Sequence, residues 1–201
     1  IEAAHKEVMQ GCSSAKGAPE VAELWLRALN ARYVVVHGAA SREHFHWFVQ
    51  PPRFSALPVA WTNGAGDTIY RLPAPEPEEA VVVDTARLAT LPPLRSTGDR
   101  EFLAAYVAWA AGKRPARLRW SRPDTAELEA DLRAGEAVLV KVNYDRGWKV
   151  AGARTRPDPI GFLLLELPPR HQQVKLSFGA AWDVWLGRAV TLATVVLLLA
   201  P

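Results

Sequence analysis

Three histidines are the residues of this sequence best suited to metal chemistry. His37, His44 and His46 lie close together with Glu43, and a His-x-His pair can chelate a metal from a strand because alternate side chains point the same way. The segment "SREHFHWFVQPPRF", however, indicates a helical turn or a loop, and no second pair of ligands is evident. We therefore expect hydrogen-bonded or solvated histidines, with no metal site and no cofactor.

An aromatic turn is the second candidate site. In "VLVKVNYDRGWKV", residues 138–150, two strands flank a tight turn. Trp148 could stack on a sugar ring while Tyr144 and Asp145 contact its hydroxyl groups, and Trp120 could extend this aromatic platform. An indole directly after a turn can equally close the end of a β-sandwich. The sequence leaves both interpretations open and favours the structural corner.

The remaining motifs do not indicate catalysis. "NGAGD" lacks the third glycine and the Lys-Ser/Thr ending of phosphate-binding loops, and it predicts a hairpin turn. Glu127, Glu129 and Asp131 resemble the carboxylate spacing of a retaining glycosidase. Their strict alternation with apolar residues is typical of the solvated side of a half-buried strand.

Composition limits the classes of partner. The chain has 201 residues, of which 49% are hydrophobic and 22% charged, as in an ordinary folded protein. Its net charge of +3 is spread along the chain without a basic stripe, so we expect no nucleic-acid binding. The single cysteine excludes an internal disulfide.

The periodicity of apolar residues predicts an α+β fold. A helix over 19–29 and the strand "RYVVVHG" precede a hairpin at "NGAGD", and the proline-rich "PAPEPEE" indicates a boundary near residue 77. A second helix, "DREFLAAYVAWAAGKR", is capped by Asp99 and ended by Gly112. From residue 116 the period changes to two, which predicts five or six antiparallel strands.

These elements suggest three regions. We predict a small helix–strand subdomain over 1–77, and a helix with a jelly-roll-like antiparallel β-sandwich over 78–188. Residues 189–200 form a segment without charge. This segment is shorter than the roughly 20 apolar residues that are needed to cross a bilayer. This run indicates either a buried C-terminal element or, as we favour, the start of a truncated transmembrane helix over 189–201. Trp182, Trp185 and Arg188 would be its membrane anchor.

The order of several motifs resembles a known family. "VLVKVNYDRGWKV", "DPIGFLLLELP", "VKLSFG" and "GRAVTLATVVLLL" together resemble the C-terminal extracytoplasmic region of YfhO-like bacterial multi-spanning membrane proteins. "LWLRALNARYVVVHG" and "GDTIYRLP" resemble units nearer its start. Arg146 departs from the proline usual before Gly-Trp. These proteins are similar to the GT-C glycosyltransferases, which use polyprenyl-phosphate-linked sugars.

The resemblance implies a non-catalytic extracytoplasmic domain that positions the substrate or acceptor of a membrane-embedded glycosyltransferase. Its partners would be the lipid bilayer and a glycan or polyprenyl-phosphate-linked sugar. GT-C enzymes carry their catalytic acids in loops between early transmembrane helices, so the resemblance assigns no catalytic residue here. The alternative function is a free-standing carbohydrate-binding module that uses Tyr144, Trp148 and Trp120. A hydrolase ranks last.

Overall fold

Antiparallel sheets dominate the part of the chain that this computed structural model describes, namely residues 19–44, 54–73, 78–112, 114–179 and 182–199. Within these residues four helices and twelve strands are present: α1 Pro19–Ala28, β1 Tyr33–Val36, β2 Val59–Thr62, β3 Thr68–Arg71, β4 Ala80–Asp84, α2 Thr85–Ala89, α3 Arg100–Ala110, β5 Arg114–Pro115, β6 Arg117–Arg122, β7 Thr125–Asp131, β8 Glu136–Asn143, β9 Trp148–Val150, β10 Arg154–Pro157, β11 Phe162–Glu166, β12 His171–Phe178 and α4 Trp182–Leu199.

The strands form three sheets with the orders β1-β3-β2, β10-β11-β8-β4-β5 and β6-β7-β12-β9. The five-stranded and four-stranded sheets enclose one apolar core, in which β4, β8 and β11 face β7 and β12. This arrangement confirms the predicted α+β class with an antiparallel β-sandwich, although seven of the described strands, not the predicted five or six, follow residue 116.

The five-stranded sheet is buried on both faces, which explains why its central strands are continuously apolar. On β4, Val82 faces the four-stranded sheet, whereas Val81 and Val83 face the helices. α1 and α3 cover this second face. β7 is covered on one side only, and its burial therefore alternates from Thr125 to Asp131.

The ends of the helices follow from local chemistry, as predicted. The Asp99 side chain accepts a hydrogen bond from the Phe102 amide at 3.1 Å and caps α3. Gly112 beyond its end has a φ of 77°, a conformation that favours glycine. α1 is followed by Asn30 with a φ of 60°, which is tolerated better by asparagine than by most residues.

α1 connects the small sheet to the sandwich. Its residues Ala22, Trp25 and Ala28 pack into the helix-covered core, while Leu26 belongs to a separate core beneath the small sheet. The Trp25 indole N–H also donates to the Thr97 carbonyl at 2.7 Å. The predicted boundary near residue 77 and residues 1–18 of the predicted subdomain lie outside the described residues.

Candidate functional site

The aromatic turn forms a closed corner of the sandwich. Trp148 is only 8% exposed and packs edge-on against Phe178 at a centroid distance of 5.2 Å. Its indole N–H donates to the Asn143 carbonyl at 3.1 Å. Because the ring is buried and its polar atom is already bonded, neither face of Trp148 is presented to a ligand.

The neighbouring residues of this turn also have structural partners. Tyr144 is half-buried against the core between the sheets. The exposed Asp145 accepts a hydrogen bond from the Gly147 amide at 2.6 Å. A Cβ on Gly147 would lie 2.7 Å from the Gly179 carbonyl oxygen, so this close approach of two backbone segments requires glycine.

Trp120 is brought next to Trp148, with a centroid distance of 6.0 Å. It is half-buried, and its indole N–H donates to the Glu79 carboxylate at 2.7 Å. The structure therefore assembles the four predicted sugar-binding residues, but in a corner where Trp148 is buried, Tyr144 and Trp120 are half-buried, and only Asp145 is exposed.

His37 belongs to a polar junction between the end of β1 and the β2–β3 turn. Its Nδ1 lies 3.2 Å from Ser41 Oγ and 3.3 Å from Asp67 Oδ1. Asp67 also accepts hydrogen bonds from the Gly38 amide at 3.1 Å and from the Asn63 side chain at 2.9 Å. Hydrogen bonds, above all the one from Asn63, lower the pKa of Asp67 to about 2.

The histidines of the described residues are not assembled into a metal-binding group. No cluster of three or more His, Cys, Asp or Glu side chains suited to a metal is present in that part of the chain. His44 is exposed, and His46 lies outside the described residues. Ser41 and Asp67 contact the same nitrogen of His37, so the three residues lack the relay geometry of a nucleophilic triad.

The carboxylates of β7 lie opposite cations on the solvated face of the four-stranded sheet. Glu129 lies 3.5 Å from Arg117, and Asp131 lies 2.8 Å from His171. A groove of about 430 Å³ runs beside them, with a lining of both charge signs. These exposed ion pairs confirm the prediction of a solvated strand face and do not form a carboxylate pair facing a substrate.

Asp158 is a buried acid for which no sequence motif predicted a role. Its Oδ1 accepts hydrogen bonds from the amides of Ile160, Gly161 and Phe162 at 2.7–3.0 Å. The Tyr106 hydroxyl donates to Oδ2 at 2.5 Å. Burial raises the pKa of Asp158, and burial next to this carboxyl also raises the pKa of Tyr106. Since the hydrogen bonds of both groups are made internally, the pair stabilises the β10–β11 hairpin.

α4 exposes apolar residues along most of its length. The exposed fractions are 53% for Leu186, 58% for Val190, 66% for Leu192, 45% for Val195 and 79% for Leu198. The predicted anchor residues Trp182, Trp185 and Arg188 lie in the first half of this helix. Among the helices that the structure describes, none combines the length and the apolar character needed to cross a membrane.

A second apolar surface lies on the outer face of the small sheet. Val35 and Trp61 both pair in register with Ile69, and Tyr33 pairs with Arg71. Trp61 is 51% exposed and Tyr33 is 54% exposed, which is unusual for aromatic residues on one sheet face. The run of apolar residues in "RYVVVHG" predicted a short buried strand, and this prediction is wrong for one face, because β1 is buried only at Val34 and Val36.

The described residues thus offer two exposed apolar surfaces and several internally bonded polar clusters. Comparison with protein-family models, with curated proteins and with solved structures finds no match for this chain.

Proposed function

We propose that this chain is a non-catalytic domain of a membrane protein and that α4 is its anchor in the lipid bilayer. The observation that carries this proposal is the exposure of apolar side chains on all sides of α4 between Leu186 and Leu198. Successive residues of an α-helix are rotated by about 100° around its axis. On this basis the five exposed residues from Leu186 to Leu198 are distributed around the helix, and the widest gap between two of them is about 120°. A helix that is apolar on all sides requires an apolar environment.

The two threonines of α4 are compatible with such an environment. The hydroxyls of Thr191 and Thr194 donate to the carbonyls of Gly187 and Val190, each at 2.9 Å. Both hydroxyls are therefore bonded within the helix and require no water. At 1.5 Å per residue, the charge-free residues 189–199 of α4 extend over about 16 Å, roughly half the hydrocarbon thickness of about 30 Å, which is enough to enter the bilayer without crossing it.

The second part of the proposal concerns the larger membrane protein to which this domain would belong. The YfhO-like order of motifs supports an extracytoplasmic domain of a GT-C-like glycosyltransferase that uses a lipid-linked sugar. In that protein the sandwich would position the polyprenyl-phosphate-linked donor or the acceptor above the membrane-embedded catalytic residues. A free-standing carbohydrate-binding module receives less support, because the indole of Trp148 is buried.

Partition of the full chain into neutral phosphatidylcholine vesicles tests the anchor. We expect the wild-type chain to bind the vesicles and the double variant Leu192→Lys/Val195→Lys to bind at least about 100-fold less, since a lysine within the hydrocarbon costs about 2.5–3.5 kcal/mol. The matched control is Val59→Lys/Leu94→Lys, which places the same charges on exposed apolar residues of the folded body. A wild-type chain that stays in solution, or an equal loss for both variants, would contradict the anchor.

A further inference from the structure

The end of the sandwich from which α4 emerges is formed by two turns. The Phe178 amide donates to the Asp124 carbonyl at 2.7 Å, which places the β6–β7 turn beside the end of β12. The Gly179 amide donates to the Gly147 carbonyl at 3.0 Å, which places the β8–β9 turn there as well. α4 begins at Trp182, three residues beyond Gly179. Both turns therefore lie at the root of the helix.

Three exposed cations surround this root. Arg122 ends β6 next to the first turn, Arg146 lies within the second turn, and Lys149 pairs in register with Ser177 of β12. We call these three residues the root collar. Phe178, which is 40% exposed, adds an apolar ring at the same place.

Two aspartates also lie in these turns, so the five charged groups sum to +1. The Asp124 carboxylate accepts a hydrogen bond from the Thr125 hydroxyl at 3.0 Å, and that of Asp145 accepts one from the Gly147 amide at 2.6 Å. These short side chains are bonded within their own turns. The Lys149 ammonium also donates to the Arg146 carbonyl at 3.3 Å, within the second turn. The exposed side chains of Arg122 and Arg146 are longer than those of the aspartates, so their guanidinium groups can reach a phosphate beyond the turns.

We infer that the root collar binds the phosphate groups of anionic phospholipids at the bilayer surface that α4 enters. This inference rests on the proposed anchor, because only insertion of α4 brings the collar to a lipid surface. Arginine and lysine close to an anionic bilayer are attracted to its phosphates, and guanidinium groups can bind phosphate through two hydrogen bonds. The collar would then hold the sandwich against the membrane surface in a defined orientation.

The test compares the partition of the full chain into phosphatidylcholine vesicles and into vesicles that also contain phosphatidylglycerol, at low ionic strength. We expect the wild-type chain to bind the anionic vesicles at least about tenfold more tightly. The variant Arg122→Gln/Arg146→Gln/Lys149→Gln should lose this preference while it keeps its binding to neutral vesicles. Circular dichroism checks that each variant is folded.

The matched control removes three exposed arginines from the opposite end of the sandwich, Arg87, Arg133 and Arg170. The Arg170 carbonyl bonds the Leu132 amide just beyond β7, whose other end pairs with Ser177 near the collar. Replacement of these arginines by glutamine should leave the anionic preference intact. An equal loss in both triple variants would overturn the inference, because net charge alone would then explain the binding.

The remaining outcomes separate the two proposals. Equal binding of the wild-type chain to both vesicles overturns the root collar and leaves the anchor standing. Absence of binding to neutral vesicles contradicts the anchor, and the collar inference falls with it.

A competition experiment distinguishes lipid phosphate from free phosphate. Inorganic phosphate, compared with chloride at equal ionic strength, should not selectively reduce the preference of the chain for anionic vesicles. Selective displacement would assign the cations to a soluble phosphate ligand and would overturn the lipid inference.

Discussion

At Asp67 a single carboxylate joins two loops that are distant in sequence. Its pKa of about 2 lies below the ordinary value of 3.8 because the ionised form accepts several hydrogen bonds. A folded-state pKa below the unfolded one adds stability that is present above about pH 4 and is lost as the pH falls toward 2. The junction should therefore loosen in acid.

The variant Asn63→Ala tests this link. Without the amide donor, the pKa of Asp67 should move up toward 3.8, so the stability lost between about pH 4 and pH 2 should be smaller than in the wild-type chain. Asp67→Asn should remove the part of the acid dependence that comes from Asp67, leave the part that comes from the capping carboxylate of Asp99, and lower the stability at neutral pH. Thermal unfolding between pH 2 and 7 measures both effects, and three superimposable profiles would contradict the assignment.

Trp148 and Trp61 allow the stability effects of removing a buried and an exposed tryptophan to be compared. Trp148→Ala should lower the free energy of unfolding by about 3–5 kcal/mol, because it leaves a cavity at the corner of the sandwich. Trp61→Ala, at a residue that is 51% exposed, should change it by less than about 1 kcal/mol. Urea denaturation gives both values. A stable Trp148→Ala chain would instead favour the sugar-stacking interpretation.

Residues with local partners were the easiest to predict from the sequence. The "NGAGD" turn and the Asp99 cap depend on neighbours within a few positions, and both predictions are confirmed. His37 and Asp67 are 30 positions apart, and Tyr106 and Asp158 are 52 apart. Contacts of that kind depend on how the sheets and helices pack, which the local pattern does not contain.

Among the elements, the β10–β11 hairpin and α3 are joined by the buried Asp158. Asp158→Ala should lower the free energy of unfolding by about 3 kcal/mol or more, because buried amides and the Tyr106 hydroxyl lose their acceptor. Tyr106→Phe removes one of these hydrogen bonds only and should cost about 1–2 kcal/mol. Urea denaturation that gave the reverse order would show that Asp158 is not the centre of this junction.

The type of each element was predictable where its periodicity was strong. α3 has an apolar face that includes Phe102, Tyr106 and Trp109, and β7 alternates strictly, as expected. The five-residue helix α2 was not predicted, since it has no fully buried residue and depends on a cap from Asp84. The layer of α1 and α3 over the sheet was not predicted either. Continuously apolar strands such as β11 show that both faces are covered but do not identify what covers them.

The whole molecule combines three layers with two surfaces that remain apolar and exposed. The order β10-β11-β8-β4-β5 places β4 beside β8, although more than fifty residues separate them in the chain. Such long-range pairing could not be deduced from local patterns. The exposed apolar residues of α4 could be anticipated from their composition, and this surface supports the membrane anchor most directly.

The most direct measurement is the depth of α4 in a bilayer. Single cysteines introduced at Leu186, Val190, Leu192, Val195 and Leu198 in a Cys12→Ser background would carry a nitroxide label in vesicle-bound protein. Oxygen accessibility relative to a water-soluble nickel complex should be high at these positions and should rise from Leu186 toward Leu198, while a label at the exposed Ala134, at the opposite end of the sandwich, remains accessible to nickel. If all five helix positions were as accessible to nickel as Ala134, α4 would not lie in the membrane and the proposed function would be wrong.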